Sequence, residues 1–254
     1  MINPMDLTGK RILITGASSG IGRETAIVLS RLGAALALLG RDEVTLKETL
    51  CSLENPDFHQ TAVLDLAQNE HIEPVIKLLT AERPFEGFVH CAGIAPLRPL
   101  AMTKKENIEQ VMNVNFYSFV ELVRLLAKGK KRFTEGGSIV VISSTASIHG
   151  KPTKLAYSAS KASIDAAIRC LTVELKDKKI RINSIMPSWV NTNKFTSFVQ
   201  DYSYSKDMEE IREKQYLGVT EPYEVANIIA FLLSDATRTI TGTSILMDGG
   251  ILQG

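Results

Sequence analysis

The sequence predicts an α/β fold of three layers, with a doubly wound, mostly seven-stranded parallel sheet between two layers of helices. Three observations carry that reading. Short runs rich in Val, Ile and Leu alternate with stretches of helical periodicity along the chain. The runs are too evenly apolar for strands with one wet face, so the sheet is covered on both sides. The first run also leads directly into a glycine-rich turn that opens a helix.

In order, residues 11–15 (RILIT) read as the first strand and 21–32 as the first helix. Residues 35–39 and 44–53 are the second strand and helix. Residues 61–64 form the third strand, followed by a helix over 72–79, and 88–91 form the fourth. Residues 105–126 have apolar positions at the spacing of one long helix. Residues 138–143 (SIVVIS) are strand five, 156–175 a helix and 181–185 strand six. A helix over 222–234 starts with Pro222, where a missing N–H costs nothing. Residues 244–247 are the last strand.

The 254 residues, 44% hydrophobic and 22% charged, suffice for a substantial core and read as a single domain over 1–254. They exclude a disordered or disulfide-built chain. A net charge of +1 gives no global reason to bind nucleic acid or an anionic membrane. Cys51, Cys91 and Cys170 are an odd, scattered set, neither a disulfide framework nor a metal cluster. With no signal-like start and no apolar run near the ~20 residues of a membrane span, the expectation is cytoplasmic. None of the four histidines sits at ligand spacing with cysteines or carboxylates, so no metal is expected. Residues 188–218 break the alternation and hold Trp189, Phe195, Phe198, Tyr202 and Tyr204. Two readings stand: aromatic packing or a subunit contact, and a lid over an apolar substrate.

The turn after strand one is Thr15-Gly16-Ala17-Ser18-Ser19-Gly20-Ile21-Gly22. A pyrophosphate is held by backbone N–H groups at a helix N-terminus, where the dipole is positive. Gly16 allows the tight turn, Gly20 lets backbone approach phosphate, and Gly22 lets the helix pack on the sheet. After strand two stand Gly40 and Arg41. An acidic residue there holds a ribose 2′-hydroxyl, whereas arginine suits a 2′-phosphate, so the pair favours NADP(H) over NAD(H). The alternative for Arg41 is a surface ion pair with Asp42 or Glu43.

Tyr157-Ser158-Ala159-Ser160-Lys161 opens the helix after strand five, and residues i and i+4 share a helix face. An ammonium near the phenol is expected to lower the tyrosine pKa. A fall of ~3 units from about 10 needs about 4 kcal/mol. Tyr202 to Lys206 has the same spacing. Context separates the two, because Ser144 lies thirteen residues before Tyr157 just past strand five, whereas Trp189 lies thirteen before Tyr202. Ser143 is the neighbour that strand alternation points to the other side.

Together TGASSGIG, ISS, YSASK and ITGTSILMDGG resemble the short-chain dehydrogenase/reductase family in its compact single-domain form, with a Rossmann fold, over residues 7–250. It is similar to the 3-oxoacyl-carrier-protein reductase-like members of that family. The resemblance implies Ser144, Tyr157, Lys161 and Asn115 as catalytic, with Asn115 supporting a water-mediated relay to Lys161. It implies cofactor contacts from Gly16, Ser18, Ser19, Gly20, Ile21 and Gly22, from Arg41, Asp65 and Leu66, from Cys91, Ala92 and Gly93, from Tyr157 and Lys161, and from Pro187, Val190 and Thr192. Gly16, Arg41, Asp65, Gly93, Ser144 and Pro187 all fall just beyond a strand's carboxyl end, the edge at which open α/β sheets bind ligands.

The chain departs from the family's Asn-Asn-Ala-Gly with His90-Cys91-Ala92-Gly93, and from Pro-Gly with Pro187-Ser188 followed by Trp189. His90 reads best as a strand-end histidine, and Cys91 as either a thiol near the cofactor or an inert buried one. Ser19 stands where many NADP-preferring members carry a basic residue. The implied activity is hydride transfer between NADP(H) and a carbonyl or secondary alcohol, on a 3-oxoacyl thioester or another bulky apolar ketone. The alternatives are an NAD-dependent sugar, polyol or hydroxysteroid-type alcohol dehydrogenase, and a non-catalytic NADP sensor. A homotetramer or homodimer is implied. The run Lys128, Lys130, Lys131, Arg132 fits an acyl carrier protein less well than it fits a solvated helix end.

Overall fold

The computed structural model describes residues 3–129, 131–192 and 213–252. Its strands are β1 (Arg11–Thr15), β2 (Ala35–Gly40), β3 (Gln60–Val63), β4 (Phe85–His90), β5 (Phe133–Ile142), β6 (Arg181–Pro187) and β7 (Ser244–Met247). They form one parallel sheet in the order β3-β2-β1-β4-β5-β6-β7. The order reverses between β1 and β4, and a crevice opens at such a switch point, outside the strands' carboxyl ends. The described helices are α1 (Gly20–Arg31), α2 (Glu43–Cys51), α3 (Ile72–Leu79), α4 (Lys105–Met112), α5 (Ser118–Ala127), α6 (Leu155–Glu174) and α7 (Pro222–Leu233).

Strand alternation sorts the apolar residues into two cores. Leu13, Phe88, Val141 and Ile182 point to one face and pack with Phe119 and Leu122 of α5 and Ile164 and Ile168 of α6. Ile12, Ile14, Val140 and Ile185 point to the other and meet Leu29 of α1 and Ile229 of α7. All of these are at most 1% exposed, which is why the strands read as continuous apolar runs. Buried Arg181 donates to the carbonyls of Leu232 (2.7 Å) and Ser234 (3.1 Å), satisfying the end of α7.

Several boundaries differ from the sequence expectation. β4 covers Phe85–His90, so Cys91 lies beyond it. β5 begins five residues early, because Phe133 pairs with Phe85 before the register shifts between Phe85 and Gly87. β6 runs two residues past the expected 185, so Pro187 is its last residue and does not lie just beyond it. The long helix expected over 105–126 is interrupted: Asn113–Tyr117 is a π-helical turn between α4 and α5. Of the 188–218 excursion, Val190 bridges to Thr220 and the Trp189 carbonyl accepts from the Thr220 N–H at 3.2 Å. Phe195, Phe198, Tyr202, Tyr204, Lys206 and Lys130 lie outside the described residues.

Candidate active site

A cleft of about 650 Å³ runs along the carboxyl ends of the strands. One wall is the turn between β1 and α1. Gly16 has φ +68°, and a Cβ there would lie 2.8 Å from the Ala92 nitrogen. A Cβ on Gly22 would lie 2.2 Å from the Gly16 carbonyl oxygen, so the helix reaches the turn only without one. Ser19 caps α1 but makes no side-chain capping bond. The helix thus presents its N-terminus and positive dipole end beside the cleft, with Ser19, Gly20, Ile21 and Gly22 lining it. That cradle fits a dinucleotide pyrophosphate.

The floor is a hydrogen-bonded cluster. Asn115 sits in the π-helical turn and is fully buried. Its Oδ1 accepts from the Ile94 N–H at 2.8 Å. Its Nδ2 donates to the Ile94 carbonyl at 3.0 Å and to Ser160 Oγ at 2.9 Å. Ser160 in turn donates to the Tyr157 carbonyl at 2.8 Å. Asn115 therefore ties the loop after β4 to the start of α6. π-turns recur where a helix must re-aim a functional side chain.

Tyr157 and Lys161 share a face of α6, with Lys161 Nζ 5.7 Å from the tyrosine ring centroid. Lys161 is buried and donates to the Ile142 carbonyl at 2.6 Å. Ser144 hydrogen-bonds Tyr157, and its Oγ also accepts from the Ala146 N–H at 3.1 Å. Ser143 also lines the cleft, but its Oγ donates to the Lys161 carbonyl at 3.4 Å. The structure thus brings Ser144, Tyr157, Lys161 and Asn115 together. It corrects the expected pKa: burial pushes the Tyr157 phenol up, opposed by the Ser144 hydrogen bond, so the lowering ascribed to Lys161 is not seen.

His90 ends β4, fully buried, with Nδ1 2.9 Å from Thr15 Oγ1. Burial, then the Lys161 charge, push its pKa down to about 3, opposed by the Asn115 main chain. It is a neutral strand-end histidine. Burial pushes the Cys91 thiol up to about 12, against the Thr25 side chain and Lys161, so it stays protonated. Gly93, Pro187, Val190 and Thr192 line the cleft, and the Ala92 N–H donates to Thr15 Oγ1 at 3.4 Å.

Farther along the same edge, Ser18 lies against Gly40, since a Cβ on Gly40 would be 3.3 Å from the Ser18 side chain. Arg41 and Asp65 are exposed, and Leu66 is buried. Asp42 instead caps α2 by accepting from the Thr45 N–H at 2.8 Å, and Glu43 pairs with Lys47 at 2.7 Å. Arg41 makes no ion pair with either. Sequence reasoning missed Thr15, Ser160 and the cleft-lining Lys151 and Lys154. Thr15, as the last residue before the glycine turn, was the one with a readable signal. Among the described residues no helix is long and apolar enough to cross a membrane.

A family profile described as Enoyl-(Acyl carrier protein) reductase matches residues 16–252. The chain is 33% identical over 247 residues to L-xylulose reductase of Caenorhabditis elegans, covering 96% of each. It is 33% identical over 253 residues to a 3-oxoacyl-(acyl-carrier-protein) reductase of Rickettsia felis, covering 98% of this chain and 99% of that one. A crystal structure described as "a putative NAD(P) dependent gluconate 5-dehydrogenase" of Beutenbergia cavernae, with NADP bound at low occupancy, superposes with a TM-score of 0.88. Its identity is 28%, over 99% of this chain and 100% of that chain.

Proposed function

The chain belongs to the short-chain dehydrogenase/reductase family, and on that premise we propose that it reduces the carbonyl of a small-molecule substrate with NADPH. It is an NAD(P)-dependent oxidoreductase of carbonyl or alcohol substrates. The observation that carries the reductive direction is the partly buried Tyr157 hydroxyl hydrogen-bonded to Ser144. Burial holds it protonated at neutral pH, the state a proton donor needs. Oxidation needs the phenolate and is expected to gain as pH rises.

The cofactor, when bound, supplies hydride; Ser19, Gly20, Ile21 and Gly22 would hold its pyrophosphate at the N-terminus of α1. Ser144 donates a hydrogen bond to the substrate oxygen, and Tyr157 gives that oxygen its proton. Lys161, fixed on the Ile142 carbonyl, places a positive charge beside the tyrosine and passes a proton back to it. Asn115 Oδ1 accepts one N–H and keeps a second lone pair for the water of the relay. NADPH is preferred over NADH because Gly40 offers no carboxylate to a 2′-hydroxyl. Exposed Arg41 offers a phosphate its guanidinium. The bound NADP of the Beutenbergia cavernae structure supports the same choice.

The test is NADPH consumption with a panel of ketones and a 3-oxoacyl thioester. Tyr157→Phe is expected to bind NADPH as the parent does and to lose turnover by roughly 10²- to 10⁴-fold. Turnover within threefold of the parent, by roughly that measure, contradicts the proton-donor role.

A further inference from the structure

A second pocket, of about 490 Å³, shares only Ala146 and Lys151 with the cleft. Neither the glycine turn nor Ser144, Tyr157 or Lys161 lines it. The loop after β4 and the turn before α6 meet there. Thr153 in that turn holds φ +65°, a region that a β-branched residue enters only when its surroundings impose it. Its carbonyl accepts from the Arg98 N–H at 2.9 Å. The Arg98 carbonyl accepts in turn from Thr103 Oγ1 at 3.5 Å. Both main-chain groups of Arg98 are thus committed, and the residue is fixed in the pocket wall.

The Arg98 side chain is not committed. Arg98 is half-buried, and its guanidinium forms no hydrogen bond or ion pair among the described residues. No Asp or Glu is among the described residues of this wall. Ser147 and Ser158 also line it, each with a buried Oγ that has no hydrogen-bonding partner. Serine χ1 has three staggered settings, so each hydroxyl can turn into the pocket as a donor. A partly desolvated cation and two stranded hydroxyls are unfavourable until an acceptor reaches them. The rest of the wall is apolar. Leu100, Ile148 and Leu155 stand 76%, 68% and 50% exposed around it. Apolar side chains left this bare beside one uncommitted guanidinium match a molecule with a charged head and an aliphatic body.

We infer that this pocket binds an organic monocarboxylate with a short aliphatic chain. Its carboxylate lies on Arg98 and its chain against Leu100, Ile148 and Leu155. A guanidinium offers a carboxylate two parallel N–H groups. One guanidinium also balances one negative charge, which favours a carboxylate over a doubly charged phosphate. The inference takes nothing from Lys151, which has partners of its own. It is also independent of the reductase reading. The site nonetheless adjoins the active-site wall, because the Ala146 N–H donates to Ser144 Oγ at 3.1 Å.

The full chain, with and without saturating NADPH, is titrated in a calorimeter with hexanoate, 1-hexanol, acetate and inorganic phosphate. Hexanoate is expected to saturate one site per chain. It is expected to bind about tenfold or more tightly than hexanol, which lacks the charge, and than acetate, which lacks the chain. Added salt is expected to shrink the first advantage and not the second. Arg98→Gln is expected to remove the preference over hexanol, and Arg98→Lys to restore part of it. Leu155→Ser is expected to cut the preference over acetate. NADPH affinity and melting temperature are expected to hold in all three variants. Tyr157→Phe, and NADPH itself, are expected to leave hexanoate affinity unchanged.

No saturable binding of hexanoate, or binding that Arg98→Gln leaves intact, overturns the inference. Phosphate binding more tightly than hexanoate overturns it too. So does hexanoate that NADPH displaces or that Tyr157→Phe weakens, since it would then sit in the cleft. A dimer in sedimentation that binds no hexanoate, and that Leu155→Ser breaks, gives the apolar wall to a second copy and also overturns it. Loss of turnover in Tyr157→Phe bears on the reductase reading alone.

Discussion

The two ends of the cleft are built on different physics. At the Tyr157 end, Asn115, Lys161 and His90 are buried, and each has a hydrogen-bonding partner: Ile94, Ile142 and Thr15. At the Arg41 end, the guanidinium and Asp65 stand in solvent. In the buried end a lost hydrogen bond leaves a polar group stranded, so geometry is rigid and each member matters. In the exposed end charge works through water and is screened. On the proposed reading the chemistry belongs to the buried end, while the exposed end tunes which cofactor binds.

That contrast can be broken from the buried side first. Asn115→Leu strips partners from the Ile94 N–H and carbonyl and from Ser160 at once. At about 1–3 kcal/mol per stranded buried group, a stability loss of several kcal/mol is expected in denaturant titration. A loss below about 1 kcal/mol would mean water replaces the amide readily.

His90 gives a pH test of the same burial. Folded, it takes a proton only near pH 3; unfolded, near 6.5. Between those values the unfolded chain binds the extra proton, so stability falls as pH drops from 6.5 towards 3. The contribution is ~1.4 kcal/mol per pH unit. His90→Asn is expected to flatten that part of the melting-temperature profile, and an unchanged slope would place its cause elsewhere. On the exposed side the effect is smaller. Arg41→Ala is expected to weaken NADPH by roughly fivefold at low salt, less at high salt, and to leave NADH unchanged.

The same contrast explains what the sequence made legible. Glycine spacing and the Ser144, Tyr157 and Lys161 set are local patterns on one turn and one helix start, and they fell where expected. The early part of β5 was hidden because residues 133–137 (FTEGG) look like a turn; only pairing with Phe85 across the sheet makes Phe133 a strand residue. The π-turn leaves no mark in helical periodicity, since it depends on what Asn115 meets in space. The Tyr157 pKa went the other way because spacing reports that Lys161 is near but not how far the fold withdraws the phenol from water. Lys151 and Lys154 were missed because only the left-handed Thr153 brings their turn to the cleft.

The most direct test of the account is a titration of the purified chain with NADPH and with NADH at fixed low salt, following cofactor fluorescence, for the parent and Arg41→Ala. The account predicts tighter NADPH binding by the parent and a preference that collapses in the variant. Equal or tighter NADH binding by the parent would contradict it.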